Sequence, residues 1–150
     1  MIEILQATTN SDVAAVKELF FEYAAFLNVD LCFQNFDEEM DKFPNTYEVL
    51  FLANVDGEAA AAIGLKDLGE NVCEMKRLYA RPQYHGLGMG GQLCDRLLSD
   101  ARSRGYRKMR LDTLRRLEAA VALYKKRGFV EIGEYCDNPE EDVIYMELTL

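Results

Sequence analysis

The stretch that decides the fold is Gln83–Gly91, which reads QYHGLGMGG. Four of its last six residues are glycine, and a pattern typical of an amphipathic helix follows, with Leu93 and Leu97 on one stripe. Glycine costs roughly 1 kcal/mol per residue in a helix, so its repetition at a helix start needs a reason. Glycine lets the backbone approach a ligand, and the first-turn N–H groups of a helix attract anions. The stretch therefore predicts a phosphate-binding turn.

Two nucleotide classes compete for this turn. A nucleoside triphosphate needs GxxxxGK[ST], but Gln92 follows Gly91 where that motif requires lysine. A dinucleotide needs GxGxxG, which Gly86, Gly88 and Gly91 satisfy. That fingerprint should follow its strand directly, whereas Arg81 to His85 separate this strand from the first glycine. An NAD(P)-binding domain remains the alternative.

Two motifs resemble those of the GNAT superfamily of N-acetyltransferases. Gln83-x-x-Gly86-x-Gly88 is similar to the [RQ]-x-x-G-x-[GA] signature of that superfamily, and the segment 120–129, AVALYKKRGF, resembles its A-x-x-L-Y-x-x-x-G-F segment. The resemblance extends over nearly the whole chain through the order of elements. It implies transfer of an acetyl group from acetyl-coenzyme A to a primary amine, by direct attack in a ternary complex.

The resemblance also implies which residues bind acetyl-coenzyme A. The pantetheine arm would pair with the backbone of Leu78 and Ala80, on the strand before the turn. The pyrophosphate would lie over the turn and its amides. The residues so implied in the turn are Gln83, His85, Gly86, Leu87, Gly88, Met89, Gly90 and Gly91.

The catalytic residues implied are Tyr124 and Glu74. Tyr124 matches the family tyrosine that protonates the leaving thiolate, and its reference pKa near 10 suits that role. Glu74 stands on the same strand as Leu78, where many relatives carry the general base. Asp112, at the end of the next strand, is the alternative base. No metal is expected.

Two positions depart from the family pattern. His85 stands where arginine is most frequent, which weakens one phosphate contact and makes it pH-dependent. Leu117 stands where many members carry asparagine, so the hydrogen bond of that side chain is absent. The chain otherwise leaves open a non-catalytic protein that only senses the cofactor.

Hydrophobic periodicity predicts the order β-α-α-β-β-β-α-β-α-β-β in one domain spanning residues 1–150. The implied fold is α/β (α+β): a mixed, mostly antiparallel central sheet flanked by helices, the acyl-CoA N-acyltransferase fold. The spans expected are a second helix at Gln34–Asp41, strands at Tyr47–Val55, Ala59–Leu65 and Val72–Ala80, and closing strands at Val130–Tyr135 and Val143–Leu148. Strict alternation along Val72–Ala80 places Glu74, Lys76, Leu78 and Ala80 on one face.

Composition and charge limit the classes of molecule that the protein is expected to bind. A net charge of −9 disfavours nucleic acid and anionic membranes and suits an amine, either a small molecule or a peptide. No run of about 20 apolar residues and no signal peptide is evident, and the cysteines lack CxxC spacing, with Cys73 and Cys94 expected in the core. These features predict a reduced, cytoplasmic domain, and a homodimer is compatible with them. We expect the acceptor between the early aromatic residues (Tyr23, Phe26, Phe33, Phe36) and the loop 136–139.

Overall fold

The computed structural model describes residues 1–27 and 36–150 of the chain. Four helices are described, α1 to α4 in chain order: Asn10–Leu27, Phe36–Lys42, Met89–Ser103 and Glu118–Lys126. Seven strands are described, β1 to β7: Ile2–Gln6, Val49–Val55, Glu58–Gly69, Val72–Ala80, Lys108–Leu114, Val130–Ile132 and Val143–Thr149. Their order is the one that periodicity predicts. Two predicted positions lie outside the described residues: Gln34, the expected start of the second helix, and Phe33, one of the early aromatic residues.

The seven strands form one sheet in the order β1-β2-β3-β4-β5-β7-β6. Neighbouring strands pair antiparallel except β4 and β5, which are parallel. The mixed, mostly antiparallel sheet confirms the predicted fold class. It also argues against the alternative of an NAD(P)-binding domain, because the GxGxxG fingerprint belongs to a mostly parallel, doubly wound sheet.

Helices cover both faces of the sheet. On one face α3 and α4 bury residues such as Leu93, Leu97 and Val121, and Cys73 and Cys94 lie in this core as predicted. On the other face α1 packs through Val16 and Phe20, together with the short α2. In the described ranges, no helix is long and apolar enough to cross a membrane.

Two strand ends differ from the prediction by three residues or more. Strand β3 runs on to Gly69, because its polar end Lys66–Gly69 still pairs with β4. Strand β6 ends at Ile132 instead of Tyr135. The ring of Tyr135 packs edge-on against Tyr145 and its hydroxyl reaches Glu74, so the chain leaves the sheet to place this side chain.

A bulge in β4 overturns the expected alternation. Ala62 pairs with Tyr79 and Gly64 pairs with Lys76, so two residues of β4 oppose one of β3. The irregular residue is Arg77, whose φ of 58° is rare for a side chain that carries a Cβ. Because one extra residue reverses the side-chain alternation, Leu78 and Ala80 pack on the α3 and α4 face.

Strict alternation predicted that Glu74 shares a face with Leu78 and Ala80, but in the structure it lies on the opposite face. Tyr79, beyond the bulge, packs on the α1 face. Lys76, which pairs with Gly64, also belongs to that face, since a Cβ on Gly64 would meet the Tyr47 ring there. The prediction was wrong because a bulge has no local signature in this strand.

Candidate active site

The site forms where β4 and β5 separate. These strands pair only over Val72–Glu74 and Lys108–Arg110. Beyond that point a cleft of about 430 Å³ opens between them. It is lined from β4 by Leu78, Tyr79 and Ala80, and from the opposite side by α4 and the segment before it. The ends of β4 and β5 are therefore splayed apart, which leaves this edge of β4 unpaired with β5.

Peptide groups of β4 point into this cleft. The N–H of Arg81 donates to the carbonyl of Ala60 on β3, at 2.8 Å. Because successive peptide groups of a strand point to opposite sides, those of Leu78 and Ala80 point away from β3 and toward the cleft. The ring of His85 supports this direction, since its Nε2 lies 2.9 Å from the Ala80 carbonyl oxygen, to which it donates.

The glycine-rich turn lies at the same end of β4. A 3-10 turn, Pro82–Tyr84, leads into it. Gly88 caps α3 in the left-handed conformation with φ 79°, and a Cβ there would meet no atom within 4 Å of it. The open space beside this left-handed glycine is what a ligand approaching the backbone requires.

Six consecutive amides of the turn are free to bind an anion. Within residues 36–150, no N–H from Gly86 to Gly91 donates a hydrogen bond, and Gln92 is the first to do so, to the Gly88 carbonyl at 3.1 Å. The amide of His85 was expected among them, but it donates to Pro82 at 3.1 Å. His85 can thus contribute only its ring to the site.

Gly90 and Gly91 allow close packing between α3 and α4. A Cβ on Gly91 would lie 2.7 Å from the Arg127 guanidinium, and one on Gly90 would lie 3.4 Å from Leu123. These glycines let the end of α4 approach the start of α3. Arg127 is fixed there by a fork to Asp95, with distances of 2.7 and 3.2 Å.

Tyr124 projects from α4 into the cleft. It is almost fully buried, and its ring contacts Phe129 edge-on. Burial raises the pKa of Tyr124 far above its usual value, and the nearby Tyr23, Cys94 and Asp112 raise it further. The hydroxyl consequently stays protonated at every physiological pH and can act only as a donor or a neutral acceptor.

The two candidate bases lie together on the α1 face. Glu74 accepts a hydrogen bond from the Tyr135 hydroxyl at 2.6 Å. Asp112 accepts one from Asn138 at 3.0 Å, and Lys76 lies 3.6 Å from Glu74 and 3.8 Å from Asp112. Glu74 lines a second pocket, of about 470 Å³, rather than the cleft itself.

Cys136 completes this group. Its sulfur and the carboxylates of Glu74 and Asp112 lie within 4.8 Å of one another, a spacing compatible with a metal ion. Lys76 already supplies a cation to both carboxylates, and the absence of a metal requirement stays a prediction. Burial, Asp112 and Glu74 raise the pKa of the Cys136 thiol to about 12, so its nucleophilic thiolate is scarce.

Aromatic side chains form the wall of the cleft on the α1 side. Tyr23 and Phe26 both line it, and both rings lie about 6 Å from that of Tyr79. Phe36 does not join them, because it is buried beneath the Arg77 guanidinium, 4.9 Å away. Leu117 also lines the cleft, at the position where many family members carry asparagine.

The Arg81 side chain binds α1 and β3. Its Nε and Nη2 atoms bind Glu22 of α1 at 3.0 and 2.7 Å, and its Nη1 donates to the Ala59 carbonyl at 2.8 Å. The arginine ties the end of β4 to α1. Lys125 and Lys126 remain exposed at the end of α4.

The sequence model of the acetyltransferase (GNAT) family matches residues 13–129, which include β4, the glycine turn and Tyr124. The chain belongs to the GNAT family of acetyltransferases. An uncharacterized N-acetyltransferase of Schizosaccharomyces pombe is 36% identical over 155 residues, covering 99% of this chain and 95% of that protein.

Solved GNAT structures share the whole fold. A Klebsiella pneumoniae protein named as an acyl-CoA N-acyltransferase superposes with a TM-score of 0.80 at 27% identity, covering 100% of this chain and 98% of its own. The PaiA N-acetyltransferase of Thermoplasma acidophilum, solved with coenzyme A, gives 0.75 at 19% identity, with coverages of 100% and 99%. The latter supports the fold alone.

Sequence reasoning missed the side chains that surround the two candidate bases. Tyr135 reaches Glu74 across 61 positions, and Asn138 reaches Asp112 across 26. It also missed Glu39, which binds Arg77 across 38 positions. No local spacing connects such residues, so only co-variation in related sequences could have suggested the pairs.

Proposed function

We propose that this GNAT protein transfers the acetyl group of acetyl-coenzyme A to a primary amine by direct attack in a ternary complex. One observation carries the proposal. Leu78, Ala80 and Tyr124 line the cleft between β4 and β5, and the six free amides of the glycine turn follow directly after His85, which lines the same cleft. These are a phosphate site, partners for an extended amide-bearing arm, and a proton donor.

The residues present suit the acetyl donor in each part. The free amides from Gly86 to Gly91, at the N-terminus of α3, would bind the pyrophosphate. Gln83 and the His85 ring stand beside them. The peptide groups of Leu78 and Ala80 would pair with the pantetheine amides, as an added strand pairs with a sheet edge.

The reaction needs three aids from the protein. A carboxylate takes a proton from the acceptor ammonium, because only the free amine is nucleophilic. The amine nitrogen then attacks the thioester carbonyl carbon, while a β4 amide stabilises the charge on the carbonyl oxygen. The carbon–sulfur bond breaks, and the leaving thiolate receives its proton from Tyr124. The nitrogen, positively charged after the attack, releases its second proton to solvent, from which Tyr124 is reprotonated.

The high pKa of Tyr124 is compatible with this role. If the thiolate were in water, complete transfer of a proton to it from a tyrosine with such a high pKa would be unfavourable. In the buried cleft, however, desolvation also penalises the ionised thiolate, so both partners shift in the same direction. The neutral hydroxyl thus remains a hydrogen-bond donor as negative charge develops on sulfur.

Glu74 is proposed as the base, with Asp112 as the alternative. Both lie on the α1 face, where the aromatic wall leaves room for an acceptor. Either would act through water or on the amine directly. The raised pKa of Cys136 disfavours an acetyl-cysteine intermediate next to them, which supports direct transfer. The acceptor is a small-molecule amine or the amine of a peptide.

Calorimetry with acetyl-coenzyme A, coenzyme A, NAD and NADP tests the donor. We expect binding of both coenzyme A forms and of neither dinucleotide; binding of NAD alone would overturn the proposal. A panel of amines, followed by release of free thiol, separates an enzyme from a sensor. Tight binding of acetyl-coenzyme A with no turnover on any amine would identify a sensor.

Two isosteric variants assign the base. Glu74→Gln and Asp112→Asn keep size and remove one charge each, and loss of a general base lowers kcat by roughly 10²- to 10⁴-fold. We expect Glu74→Gln to show that loss. If only Asp112→Asn does so, Asp112 is the base and Glu74 merely holds Tyr135.

A further inference from the structure

The bulge at Arg77 determines which part of β4 faces the cleft. Lys76 keeps the register of the strand start, whereas Tyr79 pairs with Ala62 one position out of step. In a regular strand Leu78 would pair with Ala62 and would point to the same face as Lys76. The cleft-facing peptide groups would then belong to different residues. The acetyl site therefore exists only while the bulge is maintained.

The conformation that makes the bulge is unfavourable by itself. Arg77 has φ 58°, a left-handed value that residues with a Cβ rarely adopt. No glycine stands at this position, although glycine would adopt that φ freely. Some interaction of the Arg77 side chain must therefore compensate for the strain.

That interaction is a buried fork to Glu39 of α2. The Nε and Nη2 atoms of Arg77 lie 3.0 and 3.2 Å from the two carboxylate oxygens, and both side chains are almost fully buried. Tyr47 and Lys66 donate to the same carboxylate at 2.7 and 2.6 Å. The carboxylate thus holds the guanidinium with both oxygens occupied, a geometry that fixes direction as well as distance.

We propose that Glu39 is a positioning residue for acetyl transfer, which holds Arg77 in its left-handed conformation and thereby keeps the β4 bulge that points Leu78 and Ala80 into the cleft. Glu39 lines neither the cleft nor the pocket of Glu74, so it acts through Arg77. The inference rests on the proposed acetyl transfer. It also ties α2, which closes the α1 face, to the strand that holds the donor.

The adjacent residue Glu38 provides a matched control. It is exposed and pairs with Lys42 at 2.8 Å on the surface of α2. Glu39→Gln should lower kcat by about 10²-fold, since a misplacement near 1 Å costs that much in an oriented reaction. Coenzyme A affinity should fall far less, because the glycine turn is untouched. Glu38→Gln should leave both unchanged.

A pair of Arg77 variants separates backbone positioning from simple stability. Arg77→Ala and Arg77→Gly both remove the fork, but only glycine adopts a positive φ without strain. We expect Arg77→Gly to retain at least about tenfold more kcat than Arg77→Ala, measured where both are folded by circular dichroism. Equal kcat values, or an unchanged kcat in folded Glu39→Gln, would overturn the proposal.

A readout that is independent of activity distinguishes this inference from the proposed function. Amide hydrogen exchange at Tyr79 and Arg81, the residues beyond the bulge whose N–H groups face β3, should quicken in Glu39→Gln and not in Glu38→Gln, because the bulged segment loosens. If wild type shows no transferase activity but exchange still changes in this way, the proposed function fails while the structural link stands. Unchanged exchange in folded Glu39→Gln would refute the link itself.

Discussion

The glycine turn and the β4 bulge form neighbouring parts of the candidate site by opposite means. The turn, Gly86–Gly91, uses only backbone: left-handed glycines, free amides and the start of α3. The bulge at Arg77 depends on side chains, because a left-handed arginine is held by a carboxylate from another helix. One device is built from consecutive residues, and the other joins residues 38 positions apart.

The difference predicts how each region responds to change. The turn should be most sensitive to replacement of its glycines, because its free amides and left-handed conformations belong to the backbone. The bulge should be sensitive to single charges and to pH, because it is buried and ionic. Tyr124 lines the cleft next to both regions and is expected to contribute the most to the rate.

The largest effect is expected from Tyr124→Phe. The change removes one oxygen and keeps the buried ring, so stability and coenzyme A affinity should hold. If the hydroxyl protonates the thiolate, kcat falls by roughly 10²- to 10⁴-fold, or about 3 to 5 kcal/mol of transition-state stabilisation. Steady-state kinetics beside calorimetry measures both.

The pH profile sharpens that result. Burial raises the pKa of Tyr124, so the wild type should not lose its acid as the pH rises from 7 to about 10, the usual tyrosine value. A wild-type alkaline limb that disappears in the Phe variant would contradict the raised pKa. Full activity of Tyr124→Phe would mean that Tyr124 only packs in the core and does not act as the acid.

Acid unfolding should reveal the ionic region next. Burial alone would raise the pKa of Glu39, but Arg77 and Lys66 outweigh it and lower that pKa from 4.5 to about 2. Such a lowering corresponds to about 3 kcal/mol of native stability at neutral pH. Because the folded-state pKa is depressed, this stability is present above pH 4.5 and is lost as the pH falls toward 2.

Denaturant titrations from pH 7 to 2 measure this loss. The difference in unfolding free energy between wild type and Glu39→Gln should be largest at neutral pH and should shrink below pH 4.5. The exposed Glu38→Gln variant should follow wild type throughout. A difference that stays constant with pH would mean that the Glu39 charge does not stabilise the fold.

A smaller effect is expected in the turn from Gly88→Val. Its φ of 79° strains any residue with a Cβ by roughly 1–2 kcal/mol, and the new methyls would enter the open space over the amides. Coenzyme A affinity should fall by about tenfold or more, which is about 1.4 kcal/mol. Calorimetry and thermal unfolding together compare the two losses.

Gly57→Val is the matched control for that change. Gly57 has φ 85° and equally open surroundings, but it lies in the β2–β3 hairpin, away from the cleft. Both variants should lose similar stability, and only Gly88→Val should lose affinity. Equal affinity in the two would mean that the phosphate does not lie at Gly88.

The sequence predicted the elements well where their signals are local. Asp56-Gly57 is a residue pair typical of a tight turn, and both residues adopt a positive φ. Glycine is typical just past a helix end, and Gly128, two positions after the last residue of α4, has φ 97°. The strand that became β6 was overextended to Tyr135, because the side-chain contact that draws Tyr135 away is made with a distant strand.

By itself, the sequence determined the order of elements, the family and the glycine turn at the start of α3, since each depends on periodicity, motifs or consecutive backbone conformations. The tertiary structure alone decided which face Glu74 and Leu78 occupy and which charges surround the candidate bases. The physical reason is that a bulge shifts register without changing local propensity. The fork of Arg77 to Glu39 that holds it joins two residues with no local relation in the chain.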